Sequence, residues 1–183
     1  MSTPDHLAGK SILIVDYEED ILATLADLRE GAATDPARDH DAALRKIRHN
    51  RYDLAILDIM GVEGLKLLEE TVAAGIPTVM LTAHAVSAQA LMESIRKGAI
   101  AYVPKETLAD LPELLNDLLD AQARGEPPWK LLFERLGDFF DRRFGPGWKT
   151  KDAAFWSEFS RTHEVSRGIQ ARLMHDPRIR DKG

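Results

Sequence analysis

Apolar positions along the first two thirds of the chain follow two alternating rhythms. Short, nearly unbroken apolar runs occur at residues 11–15, 53–58, 78–82 and 100–103. Between them lie longer stretches whose apolar residues recur every three or four positions. Runs this short, bounded by polar residues, predict strands buried on both faces, as in a parallel sheet. The longer stretches predict helices. Residues 16–30 place Ile21, Leu22, Leu25 and Leu28 at helical spacing, with Gly31 suited to the C-terminal end. Residues 41–48 offer Ala43, Leu44 and Ile47 as a buried stripe, and a third helix runs through Leu65, Leu67, Leu68 and Val72. Residues 86–97 form a fourth, closed by Gly98. A fifth follows Asp110, with Leu114, Leu115, Leu118 and Leu119 on its apolar face. Asp110 and Glu113 match a capping box, and Pro112 is acceptable in the first turn.

One element is poorly specified. A second strand is due near residues 32–37, but Pro36 lacks the N–H that an internal ladder needs. It is therefore either a weak edge strand or missing. Parallel strands require crossover connections, nearly all right-handed, so the alternation predicts a doubly wound α/β sheet. A flavodoxin-like order, 2-1-3-4-5, puts the proline-bearing strand at an edge.

The strand ends carry the chemistry. Asp16 follows the first run, Asp58 closes the next, Thr82 ends the third, and Lys105 follows the last by way of Pro104. In open parallel sheets ligands bind beyond the carboxyl ends of the strands. Two carboxylates, a hydroxyl and an ammonium would meet there. A lone acid at a strand end is ordinarily a solvated cap, so the weight rests on the four together.

Composition divides the chain. Residues 1–125 hold 12 Lys+Arg against 21 Asp+Glu, whereas residues 126–183 hold 12 against 9. All six Phe and all three Trp lie after Gly125, and the three Tyr before it. The expected boundary is the Gly/Pro-rich stretch 124–128, separating a domain at 9–124 from an aromatic-rich helical extension at 126–183. In the extension, residues 129–144 form an amphipathic helix with Leu132, Phe133, Leu136, Phe139, Phe140 and Phe144 on one side. Residues 153–162 carry Phe155, Trp156 and Phe159, and residues 164–175 form a third, more basic helix. So many aromatics must be covered, either by the extension itself and the first domain or by a dimer or partner surface. No cysteine is present, and no apolar run approaches the roughly 20 residues that span a bilayer. The first residues lack the pattern of a secretory signal, so the expected location is cytoplasmic. The histidines show no metal-ligand spacing and read as surface residues.

Four pieces together resemble the receiver domain of two-component response regulators: Ile-Leu-Ile-Val-Asp16, Leu-Asp58-Ile-Met, Met-Leu-Thr82-Ala-His84 and Ala-Tyr102-Val-Pro-Lys105. The resemblance implies that Asp58 accepts a phosphoryl group from a histidine kinase or phosphotransfer protein. It implies a Mg²⁺ ion held by Asp16, Asp58 and the Met60 backbone carbonyl. It also implies that Lys105 pairs with the phosphoryl oxygens and that Thr82 and Tyr102 form a switch. His84 falls at a position that influences dephosphorylation in this family. No enzymatic role is implied beyond autophosphotransfer and autodephosphorylation. The signal would pass to a downstream protein partner, or through a homodimer, with no membrane involvement. Nucleic acid is not an expected partner, because the extension's cationic excess is small and no helix-turn-helix pattern is present.

Two departures qualify the match. Tyr17 stands where the family has a second acid, and Glu18 or Glu19 would have to turn inward to replace it. The loop after Asp58 lacks the usual proline, and Gly64 comes two residues early. These departures favour, as an alternative, a phosphorylation-independent pseudo-receiver; a third reading is a transcription regulator with an unrecognised DNA-binding tail. Haloacid-dehalogenase-like phosphatases also use Asp, Thr and Lys, but they need Asp-x-Asp after the first strand, and Asp16-Tyr17-Glu18 departs from that.

Overall fold

The computed structural model describes residues 4–83 and 87–163. Among them five strands, β1 (Ser11–Val15), β2 (Ala33–Ala37), β3 (Leu54–Asp58), β4 (Thr78–Thr82) and β5 (Ala101–Pro104), build one parallel sheet. Their order is β2-β1-β3-β4-β5. The connecting helices are α1 (Glu19–Ala26), α2 (His40–His49), α3 (Gly64–Ala73) and α4 (Ala88–Arg96). After β5 come α5 (Leu111–Ala123), α6 (Pro128–Phe144) and α7 (Ala153–His163). The doubly wound α/β class and strand order predicted from the pattern are those of the structure. The third helix expected in the extension, at residues 164–175, lies outside the described residues.

Position in the sheet explains each strand's composition. β3 lies between β1 and β4 and is buried at all five positions, so only an apolar run with a paired acid at its end suits it. The segment at 33–37 does form a strand, and it is an edge: β2 pairs only with β1, with Pro36 opposite Ile14. With one side of the strand unpaired, the missing proline N–H costs no ladder bond there.

Three local expectations need correction. α1 starts at Glu19 rather than Asp16, because the Asp16 carboxylate accepts the Glu18 N–H at 2.9 Å and holds the chain in a side-chain-closed turn. The same helix ends at Ala26, well before residue 30. The capping box at Asp110 does not form. Residues Lys105–Asp110 are already a 3₁₀ turn, so Asp110 sits at φ −96° and ψ 1° and its side chain makes no cap. A capping side chain needs an extended backbone at that position.

The extension packs on the sheet domain and on itself. The Trp129 indole N–H donates to the Ala99 carbonyl at 2.8 Å, and α6 lies along α5 and the end of β5. Ion pairs Arg135–Asp117 and Arg143–Glu106 border that seam. At its centre Phe140, fully buried, meets the equally buried Tyr102 of β5 at a ring-centroid distance of 6.0 Å. Phe140 stacks on Phe144 at 5.6 Å, and the chain of rings continues through Trp148 at 4.9 Å to Trp156 at 5.1 Å. The reversal between α6 and α7 uses Gly145 at φ 87°, which a side chain would resist. Among the described residues no helix is long and apolar enough to cross a membrane.

Phe140 is thus shared between two packing layers. Phe140→Ala is expected to lower the unfolding free energy by about 3–5 kcal/mol, with a clearly smaller loss for the half-buried Phe139→Ala. Urea denaturation followed by tryptophan fluorescence measures both.

Candidate functional site

Register gathers the polar strand ends. Val15 pairs with Leu57, so the next residues, Asp16 and Asp58, emerge side by side. Asp58 in turn lies opposite Leu81, and Thr82 opposite Pro104, so the hydroxyl and Lys105 reach the same edge. The Lys105 ammonium sits among three carboxylates: 2.7 Å from Asp16 Oδ2, 3.4 Å from Asp58 Oδ1 and 3.4 Å from Glu18 Oε1. Asp16 is fully buried, Asp58 is 2% exposed and the Lys105 side chain 8%. Little water remains to screen these charges.

The electrostatics follow from that enclosure. Burial, and then the neighbouring Asp16 charge, push the Asp58 carboxyl up to about 6, against the opposing pull of Lys105. For Lys105 burial disfavours the charge, but the carboxylates of Asp16, Asp58 and Glu18 prevail and raise its pKa. Asp58 Oδ2 is buried with no hydrogen-bond partner among the described residues. Such an orphan is costly and calls for a donor or a cation. An unpartnered carboxylate oxygen is the donor chemistry a hard divalent ion such as Mg²⁺ takes, while among the described residues no group of three or more acids or histidines is arranged to hold a metal.

The two candidate substitutes for the missing acid separate clearly. Glu18 turns inward to Lys105, whereas Glu19 faces out and pairs with Arg38 at 2.8 Å. Tyr17 is directed to neither carboxylate's role. Its ring lies on Gly61, where an added Cβ would fall 2.3 Å from Tyr17 Cδ1. Met60, between Asp58 and Gly61, has an exposed side chain.

The shortened loop after β3 has a steric basis. A Cβ on Gly64 would stand 2.0 Å from the Asp58 carbonyl oxygen and 2.8 Å from Ile59 Cα. α3 therefore begins hard against the acid-bearing strand, and Glu63 absorbs the turn in the left-handed region at φ 53°. His40, expected at the surface, is half-buried and braces this loop through the Val62 carbonyl at 3.2 Å. His6 is half-buried as well, its ring 2.8 Å from Asp120.

On the other flank Thr82 is buried, without a well-aligned partner for its hydroxyl among the described residues. Burial raises the Tyr102 phenol pKa, offset in part by the Ser87 N–H and the Thr82 hydroxyl beside it. The phenol oxygen accepts the Ser87 N–H at 3.2 Å. His84 lies outside the described residues. Neither Ser87 nor Phe140 was visible as a site neighbour from the sequence. Helical periodicity identified the apolar side of α6 but not the residue it would meet.

The family model for the response regulator receiver domain matches residues 12–118. The chain belongs to that family. Solved receivers superpose on it. The CheY-like receiver domain protein of Methanospirillum hungatei JF-1 is 33% identical with a TM-score of 0.57, covering 63% of this chain and 97% of its own. The NtrX receiver domain of Brucella abortus is 34% identical with a TM-score of 0.52, covering 58% and 94%. A Burkholderia pseudomallei response regulator carrying a phosphorylated aspartic acid, a calcium ion and citrate shares the fold at 22% identity and a TM-score of 0.51, covering 62% and 72%. No match is found among curated proteins. As a receiver, the chain is a signalling domain of two-component systems.

The raised Asp58 pKa has a thermodynamic consequence. The folded receiver holds the proton up to about pH 6, while the unfolded chain releases it near 3.8. The folded state therefore binds more protons between those values, and stability falls as pH rises through that window. In metal-free protein, Asp58→Asn is expected to raise unfolding free energy at pH 7 by about 1–3 kcal/mol. The gain fades as pH drops towards about 4, and denaturant titrations across that range measure it.

Proposed function

We propose that this receiver is a phosphorylatable response regulator with Asp58 as its phosphoacceptor, signalling through protein contacts made or masked by its α-helical extension. The observation that carries this reading is the Lys105 ammonium held among Asp58, Asp16 and Glu18 at the carboxyl edge of the sheet. A buried carboxylate without its cation would be neutral at moderate pH and a poor nucleophile. Lys105 favours the ionised form and stands where phosphoryl oxygens would arrive.

In the proposed step an Asp58 oxygen attacks the phosphorus of a phosphohistidine on a histidine kinase or phosphotransfer protein. The N–P bond breaks, the imidazole leaves with the electron pair, and an acyl phosphate forms on Asp58. Mg²⁺, held by Asp16, Asp58 and the Met60 carbonyl, supplies charge neutralisation between the two anions when bound. Lys105 then pairs with the phosphoryl group, and the Thr82 hydroxyl donates to it. Drawing Thr82 towards Asp58 alters the surroundings of Tyr102, and Tyr102 bears on Phe140. The chemical event thus has a packed route to α6 and the aromatic cluster. A downstream protein, or a second copy of the chain, is the proposed reader, and the proposed setting is the cytoplasm.

A pseudo-receiver reading draws on one specific observation: the second-acid position is a tyrosine whose ring packs on Gly61. Incubation with acetyl phosphate or a beryllofluoride salt decides between the two. The expected result is a Mg²⁺-dependent modification, seen by intact-protein mass or NMR shifts, that disappears in Asp58→Ala. No modification at any Mg²⁺ concentration would establish the pseudo-receiver.

A further inference from the structure

We propose that Tyr17 is a lid on the acceptor site, shielding Asp58 from small phosphodonors and its phosphorylated form from water. The proposal rests on Asp58 being the acceptor, and it concerns a tyrosine at a position where the family pattern has an acid.

Three observations meet at this side chain. Tyr17 follows Asp16 directly on the β1–α1 loop, and Gly61 lies three residues beyond Asp58 on the β3–α3 loop. A Cβ on Gly61 would fall 2.3, 2.8 and 3.0 Å from Cδ1, Cε1 and Cγ of Tyr17, so the ring edge rests on the glycine backbone itself. The same ring has its centroid 5.9 Å from the Lys105 ammonium. One side chain therefore bridges the loops on either side of Asp58 and abuts the cation that pairs with it. Between those loops Asp58 is 2% exposed and its Oδ2 is buried without a hydrogen-bond partner among the described residues, whereas Tyr17 is 45% exposed.

An in-line attack on phosphorus needs an open approach to the carboxylate oxygen, so part of this cover must move before transfer. Tyr17 is free to move in this way, since a 45% exposed ring resting on a glycine can swing by side-chain rotation alone. Gly61 is also the residue type that lets the ring settle so close, because any Cβ there would collide with it. A docking protein brings binding energy that can displace the ring, whereas a small acyl phosphate brings little. After transfer, closure keeps water from the phosphorus. In hydrolysis a water oxygen attacks phosphorus, the P–O bond to Asp58 breaks, its electron pair returns to the carboxylate, and inorganic phosphate leaves as the water gives up a proton.

The test compares the full chain with Tyr17→Ala and Tyr17→Phe at saturating Mg²⁺. Acetyl phosphate is the donor, and its removal starts the measurement of dephosphorylation. Tyr17→Ala is expected to accelerate both modification and loss of phosphate roughly tenfold, with Tyr17→Phe close to wild type because the ring and not the phenol closes the site. A merely structural role would slow both rates or shift them in opposite directions. Equal rates in wild type and Tyr17→Ala would overturn the lid while leaving Asp58 as acceptor. Absence of modification in every variant would overturn the acceptor assignment and the lid with it.

Discussion

A single ammonium among three carboxylates governs this structure. Lys105 lies within 2.7 to 3.4 Å of Asp16, Glu18 and Asp58, in a recess that excludes most water. Such a cluster is a poor source of stability, since desolvating the charges costs much of what their attraction returns. It carries an excess of negative charge, and among the described residues Oδ2 of Asp58 has no hydrogen-bond partner. The surrounding sheet, buried strand by strand, is what holds the charges there. Burial and the crowding of like charges perturb titration in such a recess, which is why the Asp58 carboxyl is pushed up to about 6.

Around that recess the chain departs from a generic receiver in two linked ways. The short loop drives α3 against the end of β3, tolerable because Gly64 has no side chain to meet the Asp58 carbonyl. The same loop presents Gly61 as a bare surface on which Tyr17 rests. The tyrosine at residue 17 and the short loop thus meet in one contact, and Glu18 brings a carboxylate to the recess.

On the opposite flank the extension meets the receiver through Tyr102 and Phe140. Two fully buried rings from segments nearly 40 residues apart close a seam that continues through stacked and edge-on aromatics to α7. Packed interiors do not deform gradually, so a displaced Tyr102 would transmit its movement to α6 rather than absorb it. This contact ties the aromatic-rich tail to the strand that carries Tyr102 at the polar end of the sheet.

Much of this was legible in the linear chain. Apolar runs ending in Asp16, Asp58, Thr82 and Pro104-Lys105 specified the parallel sheet and the edge where those groups meet, because side-chain burial on both faces demands such runs and parallel pairing aligns their ends. Pro36 marked its strand as an edge for the same kind of local reason. What the tertiary structure alone decided were choices between locally equivalent options. Glu18 and Glu19 look alike in sequence, and only the path of the Asp16 turn sends one inward and the other to Arg38. Asp110 and Glu113 spell a capping box, yet the preceding 3₁₀ turn denies Asp110 the backbone it needs. The aromatics of α6 announce an apolar face, but which ring covers Tyr102 depends on how two distant segments cross. Periodicity records what a residue must avoid, which is water; only the assembled fold determines what it touches instead.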